Sequence, residues 1–441
     1  GLKQYFTRFK YSNTDGNDLW SCLSEASGKD VGALMNTWIS QPGYPVVYTS
    51  LDDGELVLRQ EQFFVGPHQP SDRLWPIPLG VNSSSVPEIL SDREWRVPLT
   101  SHEPLLLNQH NAAHFITCYD DQLRSRILQA VAEGTLTSSQ RAQYLNEQLL
   151  LARGGVISSS VLVETLSAFR EENDQTVWEI ISLAIGELKK FVDQDEAAEK
   201  LLRQFTGKLA RTQFERLGWD KLDNEPESDS KLRTTIVGCM LYSEDTAVVS
   251  TARKLYQDTP LAKLSADLRP LIIGTAVRYS DQPAVTVDQL IEAYQTTQSA
   301  DLRDDIASGV TSTRDAKQLA RLIRLLTDTD VIRSQDVVHW FVDLLRNRYG
   351  REAAWHWMRD EWSWIEQTFA SDKSHDYFPR YAANLLMTRQ QLAEYRDFFT
   401  PLRRDQSLVR AIDMGILDLE GKLDLIDREA TGVVTALEKI L

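Results

Sequence analysis

The chain has 441 residues, too many for one ordinary hydrophobic core and enough for two or three domains. Hydrophobic residues make up 42% and charged residues 25%, the composition of a packed globular protein. The formal net charge of −16 argues against nucleic acid as a partner, because phosphate binding needs a concentrated basic surface. Cys22, Cys118 and Cys239 lie far apart and cannot build a disulfide framework. Their odd number leaves at least one thiol free and suits a reducing, cytoplasmic compartment. No apolar run reaches the roughly 20 residues that span a bilayer, and no signal peptide is present, so no membrane partner is expected. The chain opens on Gly1-Leu2-Lys3-Gln4-Tyr5-Phe6, inside a helical pattern and without Met. A fragment of a longer polypeptide is the expectation.

Residues 1–41 read as helices. Leu2, Tyr5, Phe6 and Phe9 stand at helical spacing. Residues 11–18 are polar and turn-rich, with Asn17 or Asp18 placed to cap a helix carrying Leu19, Trp20 and Leu23. After Gly28 a third amphipathic helix presents Val31, Leu34, Met35 and Trp38, and the Pro42-Gly43 turn ends it. The pattern then turns to strand. Val46 to Leu51 is β-branched and aromatic, Asp52-Asp53-Gly54 signals a hairpin, and Leu56 and Leu58 return on one face. Short strands are expected at Leu74–Leu79, Glu94–Thr100, Leu105–Leu107 and His114–Tyr119. Pro67, Pro70, Pro76, Pro78, Pro87, Pro98 and Pro104 punctuate them, which suits sheet edges and loops. Strands at this spacing indicate an antiparallel sandwich.

From about Asp120 onward the pattern is helical. One apolar stripe holds Leu123, Ile127, Leu128 and Val131, and another Tyr144, Leu145, Leu149 and Leu150. A third holds Val161, Leu162, Leu166 and Phe169, and a fourth Val177, Trp178, Ile181, Ala184, Ile185 and Leu188. The series continues through Leu319, Leu322, Ile323 and Leu326, then Trp340, Phe341, Leu344 and Leu345. Many short helices in series favour stacked helical hairpins, a HEAT-like solenoid, although no repeat period is visible. Asp220 to Lys231 reads as an exposed loop. The expected fold is therefore multidomain: a short α-helical segment (1–41), an antiparallel β-sandwich (42–120) and a large all-α HEAT-like superhelical domain (121–441).

Chemistry is hard to find. A catalytic zinc site needs converging imidazoles or carboxylates, often as HExxH on a helix. His68, His102, His110, His114, His339, His356 and His375 offer no such pair. His102-Glu103 is followed by Pro104, and His110 and His114 flank a turn, so all seven read as surface or turn histidines. There is no G-x-S-x-G elbow and no phosphate-binding glycine loop. The cysteines read as buried small hydrophobes. Around Trp355-His356-Trp357-Met358, an aromatic ligand platform is one reading. The spacing of Trp355, Met358 and Trp362 favours a helix packed on its neighbour instead. Arg321, Arg324, Arg403 and Arg404 could bind a peptide carboxylate, but read better as solvated helix faces.

Several separated segments nevertheless share a likeness. Lys10-Tyr11-Ser12-Asn13 with Asp18-Leu19-Trp20, Asn36-Thr37-Trp38 with Gln41-Pro42-Gly43-Tyr44-Pro45-Val46, Gln60 to Phe64 with Trp75-Pro76-Ile77-Pro78-Leu79, and Gly350 through Trp362 appear in the order found in the aminopeptidase N family of zinc metallopeptidases. The chain resembles the C-terminal portion of that family, in its lactic-acid-bacterial type. The resemblance departs at His114–Tyr119, where the family's Y-R-V-x-Y arginine is absent, and at Gln62, where an arginine is usual. It implies an enzyme that removes N-terminal amino acids from peptides. In that family an HExxH helix and a downstream Glu hold zinc, and the Glu of HExxH activates water. These motifs would lie upstream of Gly1. Residues 1–41 would then be the last helices of the thermolysin-like catalytic domain, and the helical domain would cap the active site and shape the peptide chamber. No residue of this chain is assigned a catalytic, cofactor-binding or metal role, zinc would belong to the intact enzyme, and the chain alone is expected to be inactive. The alternative is a stand-alone helical-repeat scaffold that binds peptides or proteins. Neither reading settles an oligomeric state.

Overall fold

The computed structural model describes residues 1–441 except 67, 82–85, 100, 370, 372 and 373. Pro67 and Thr100, both named above, lie outside the described residues. The chain divides into two compact units, Gly1–Ile157 and Ser158–Leu441.

The first unit opens with three helices, α1 (Leu2–Arg8), α2 (Gly16–Ser27) and α3 (Val31–Ser40). The cap of α2 is neither Asn17 nor Asp18. Asp15 accepts from the Asn17 amide at 2.8 Å, and the Asp18 carboxylate reaches back to the Asp15 amide at 3.1 Å. This reciprocal capping box uses both acids and satisfies donors that a single cap would leave bare. Asp30 caps α3 through the Ala33 amide. Strands β1 (Pro45–Asp52) and β2 (Glu55–Gln62) follow as a two-residue hairpin, with Asp53 at φ +46° and Gly54 at +83°. Both turn positions need positive φ, which is why Asp-Gly stands there.

The remaining strands are β3 (Ile77–Pro78), β4 (Ile89–Leu90), β5 (Glu94–Pro98) and β6 (Ile116–Tyr119). One sheet runs β5-β2-β1-β6 and a second pairs β3 with β4. The larger sheet is mixed, because β6 lies parallel to β1. Pro98 sits on β5, an edge strand, as its missing donor requires.

Two expected strands are shortened or absent, for one reason: side chains take the backbone hydrogen bonds that a ladder would use. Over Leu74–Leu79, Gln41 donates to the Leu74 carbonyl and Trp38 to that of Pro76. Gln60 holds both the amide and the carbonyl of Trp75. Only Ile77–Pro78 remains strand. At Leu105–Leu107, Tyr119 Oη accepts from the Leu107 amide and Gln143 donates to its carbonyl, and no strand forms. The β4 segment was not anticipated; Ile89 is exposed and only Leu90 is buried. Helices α4 (Asp121–Ala132) and α5 (Ser138–Arg153) close the unit, capped by Asp120 and Thr137. Leu151 of α5 packs with Val46, Phe63 and Ile116 from the sheet side.

The second unit is helical throughout. It comprises α6 (Ser159–Ser167), α7 (Gln175–Val192), α8 (Glu196–Leu217), α9 (Glu227–Tyr242), α10 (Thr246–Asp258), α11 (Arg269–Arg278) and α12 (Pro283–Thr296). It continues with α13 (Ala300–Val310), α14 (Ala316–Leu325), α15 (Val337–Arg346), α16 (Arg351–Asp360), α17 (Trp362–Phe369), α18 (Tyr377–Leu385), α19 (Arg389–Phe399) and α20 (Val409–Ile440). Helix α7 shows the local logic. Asp174 caps it through the Thr176 and Val177 amides, and Val177, Trp178, Ile181, Ala184, Ile185 and Leu188 form one buried stripe. Burying each large apolar side chain contributes about 1.5–3 kcal/mol.

Packing passes from α7 to α9, α11, α13, α15 and α18. The long α20 then packs on α18 and α19 as well as on α6, α7 and α8, so the succession returns to its start. The segment Asp220 to Lys231 is less of a loop than expected. Helix α9 begins at Glu227, and Glu225 forms an ion pair with Arg233 in which both side chains are 4% exposed.

Candidate functional site

The seven histidines do not converge. His68 stacks on Phe64, and His114 lies tilted against Tyr44 with ring centroids 4.6 Å apart, both histidines being exposed. His102 and His110 are exposed, and His356 pairs with Glu352 along one helix face. His375 departs from the expected surface placement: it is buried, with Nε2 against Ser407 Oγ at 3.3 Å. Among the described residues no group of three or more His, Cys, Asp or Glu side chains could hold a metal ion. The donor set therefore does not fit zinc, and no zinc-dependent step is derived for these residues.

One cluster has the residue types of a hydrolase triad. His339 Nε2 lies 3.1 Å from Ser308 Oγ. The same nitrogen lies 3.1 Å from Asp343 Oδ2, to which the Ser308 hydroxyl itself donates at 3.0 Å. A triad needs the serine on one imidazole nitrogen and the acid on the other. Here both crowd Nε2, so no relay exists. The Asp343 hydrogen bond raises the His339 pKa against the opposing effect of burial.

The tryptophan-rich segment is core. Trp355 and Met358 on α16 are fully buried, and Trp362 on α17 is 6% exposed. Trp355 donates to Glu394 at 2.7 Å and stacks on Tyr395. Arg321 pairs with Asp288 and Arg403 with Asp413 on half-exposed surfaces, while Arg324 and Arg404 face solvent. Cys22 and Cys239 are buried as expected, whereas Cys118 is only half-buried.

The unusual electrostatics lie where successive helix pairs of the second unit turn. Asp193 and Glu199 flank the α7–α8 turn, and Glu244 occupies the α9–α10 turn at φ +60°. Arg278 and Tyr279 end α11, Arg314 precedes α14, and Arg348, Tyr349 and Arg351 lie between α15 and α16. These corners meet. Arg203 bridges Glu199 and Glu244, each at 2.8 Å. Arg314 joins Glu244 at 2.6 Å and lies over the rings of Tyr279 and Tyr349. Arg348 pairs with Glu199, and Arg351 grips Asp193 with two hydrogen bonds of 2.7 and 2.9 Å. Burial works to raise the Asp193 carboxyl, but Arg351 outweighs it and holds the pKa below the ordinary range.

Six cations (Lys189, Arg203, Arg278, Arg314, Arg348, Arg351) thus stand with three carboxylates (Asp193, Glu199, Glu244), in a chain whose net charge is −16. Lys189 and Arg278 form no ion pair among the described residues. The Lys189 ammonium lies 3.9 Å from the Tyr242 ring centroid. Surrounding protein pushes the Lys189 and Arg278 pKa values down, and each cation is lowered further by the other basic groups of the cluster. Beside Lys189 opens a concavity of about 330 Å³, lined by Ile185, Lys189, Thr234, Thr235, Tyr242, Asp267, Pro270 and Leu271; Arg278 is not part of its lining. Cys239 also lines it, its thiol pushed up to about 11 by burial. An apolar wall beside an ammonium can hold an anion that carries an apolar group. The arrangement holds no activated nucleophile paired with a base.

Sequence reading missed this cluster, because Asp193 and Arg351 are 158 residues apart. A usable signal did exist. Glu244-Asp245, Arg314-Asp315 and Arg348-Tyr349-Gly350-Arg351 each place charge at the break between two apolar stripes.

Comparison with known proteins gives two family matches and a set of relatives. Residues 104–420 match the family model described as ERAP1-like C-terminal domain, and residues 1–38 match that of the Peptidase family M1 domain. The aminopeptidase N of Lactococcus lactis subsp. lactis (strain IL1403) is 35% identical over 449 residues, covering 100% of this chain and 53% of the relative. That of Lactobacillus helveticus is 34% identical over 452 residues, with the same coverage. Aminopeptidase 2 of Candida albicans is 26% identical over 456 residues, 99% of this chain and 48% of its own length. The chain spans about half the length of the curated relatives it matches.

Proposed function

This chain belongs to the family of ERAP1-like C-terminal domains and matches the C-terminal portion of aminopeptidase N relatives, and we propose that it caps the active site of a zinc-dependent aminopeptidase and shapes the chamber where peptides lose their N-terminal residues. On this reading, residues 1–41 are the last helices of the M1 catalytic domain, 42–120 a β-sandwich and 121–441 a HEAT-like superhelix. Zinc and the water-activating carboxylate come from M1 sequence outside these residues. The enzyme works in the cytoplasm, where three cysteines without disulfides are at home.

The observation that carries the reading is the match of the chain, along its whole length, to the C-terminal portion of aminopeptidase N relatives, and the concavity beside Lys189 is the place it offers for a peptide. A peptide offers an amino end for cleavage and a carboxylate at its far end. Lys189 offers an ammonium for that carboxylate, with no role for Asp267 in binding it, and Ile185, Pro270 and Leu271 offer apolar surface for its last side chain. The test has two parts. The chain alone should release nothing from aminoacyl chromogenic substrates, and joined to the rest of an M1 domain it should become active and chelator-sensitive. Hydrolysis by the chain alone would sink the reading. In the joined enzyme, Lys189→Ala should raise KM for a peptide with a free carboxylate by roughly tenfold, the worth of one charge-assisted contact. The amidated form of that peptide should not respond. An equal effect on both peptides would remove the concavity from substrate recognition.

A further inference from the structure

The second unit is closed on itself by two joints of different chemistry. One is apolar: α20 carries Val433, Ala436 and Leu437, all buried, onto the helices that hold Leu162 and Leu166. Glu429 adds hydrogen bonds to the Ser158 hydroxyl and the Ser159 amide at the start of α6. The other joint faces α7–α8 with the α15–α16 corner. The apolar core that runs from Ile273 to Leu423 includes α15 and α16 but no residue of α7 or α8. Among the described residues, no extensive helix packing of the kind that joins neighbours links these pairs either. Across this gap run the Arg351–Asp193 and Arg348–Glu199 ion pairs.

We propose that Arg351–Asp193 and Arg348–Glu199 form an ionic latch between the α15–α16 and α7–α8 corners, whose release widens the helical unit. This deepens the chamber reading and rests on it, because the width under control is the chamber's. The physical asymmetry lies in what separation costs. Pulling an apolar seam apart exposes area at about 25 cal/mol per Å². Separating an ion pair into water restores the hydration that pairing removed, so the open state lies close in energy. Joints of that kind open first, while apolar seams persist. Arg351 is 8% and Asp193 14% exposed, so this pair of the latch is dry when shut and its two bonds hold one geometry. Arg203, which also touches Glu199, ties the latch to the Glu244–Arg314 pair across the neighbouring corners.

The test uses the full chain with spin labels at Lys200→Cys on α8 and Ala353→Cys on α16, both exposed positions, in a Cys118→Ala background. Arg348→Ala with Arg351→Ala should lengthen and broaden the distance distribution between the labels. It should also speed amide exchange over 193–199 and 346–352 by roughly 10- to 100-fold. Exchanging the charges, Asp193→Arg with Arg351→Asp and Glu199→Arg with Arg348→Glu, should recover most of the short distance. If the alanine variant unfolds, the isosteric Asp193→Asn with Glu199→Gln replaces it under the same criterion. A folded variant whose distance distribution matches the parent's overturns the latch. The readout does not involve peptide hydrolysis, so a failed latch leaves the chamber reading standing, and a failed chamber reading leaves this measurement unaffected.

Discussion

Glu147 is 4% exposed, between α5 and the sheet, with only neutral donors: Gln143 at 3.0 Å and the Thr117 amide at 3.3 Å. Burial pushes its pKa up to about 8, against those hydrogen bonds. The folded chain therefore holds this proton more tightly than the unfolded chain. The stability it contributes is whole below the ordinary glutamate range and falls as pH rises, until it is lost near pH 8. Between about pH 5 and 8 the slope should approach 1.4 kcal/mol per pH unit in chemical denaturation, and Glu147→Gln should flatten it. A variant whose stability still declines with the parent's slope would place the titration elsewhere. Glu225 runs the other way. Arg233 holds its carboxyl down at about 2, so that ion pair stabilises above the usual glutamate range and fails as pH drops toward 2. At this scale the sequence was a fair guide to apolar residues and a poor one to charged ones. Trp355, Met358 and Trp362 pack as their spacing required, whereas nothing around Glu147 or His375 announced burial. A charged side chain is buried by what folds over it, and that cover comes from elsewhere in the chain.

Elements that depend on local chemistry were legible. Asp30, Asp120, Asp174 and Thr137 cap helices that begin where their side chains can reach the free amides. The Asp53-Gly54 hairpin follows from the φ values it needs. Elements that depend on a distant partner were not. The Leu74–Leu79 strand is cut to Ile77–Pro78 and the Leu105–Leu107 strand does not form, because Gln41, Gln60, Tyr119 and Gln143 claim their backbone groups. Helix contacts add a further constraint. A Cβ on Gly309 of α13 would fall 2.3 Å from Ile273 Cγ2 on α11, so these helices meet with no room for a methyl group. Gly309→Ala should cost about 1–3 kcal/mol in thermal or chemical unfolding, despite its better helix propensity. An unchanged midpoint would show that α11 can shift at no cost.

Across the whole molecule, α20 is the element on which the second unit's closure turns. Its first half packs on α18 and α19, and its last turns reach α6, α7 and α8, where Lys208 donates to the Leu441 carbonyl. Deleting residues 427–441 should bare the apolar faces of α6 and α7. Increased binding of a hydrophobic dye, with a lowered unfolding midpoint, is the expected result. A truncated chain with the parent's midpoint and no added dye binding would show that the ion-paired corners suffice to close the unit. Sequence alone determined the helical character of the second unit, the β-rich segment before it and the likeness to the C-terminal portion of the aminopeptidase N family. Those follow from short-range periodicity, turn chemistry and residue order. Only the tertiary structure decided that Asp193 meets Arg351, that Lys189 lines a partly apolar hollow, and that α20 returns to the first helices of its unit. The reason is geometric. Period and propensity act over a few residues, while the meeting of charges some 150 residues apart depends on the summed rotation of every helix pair between them.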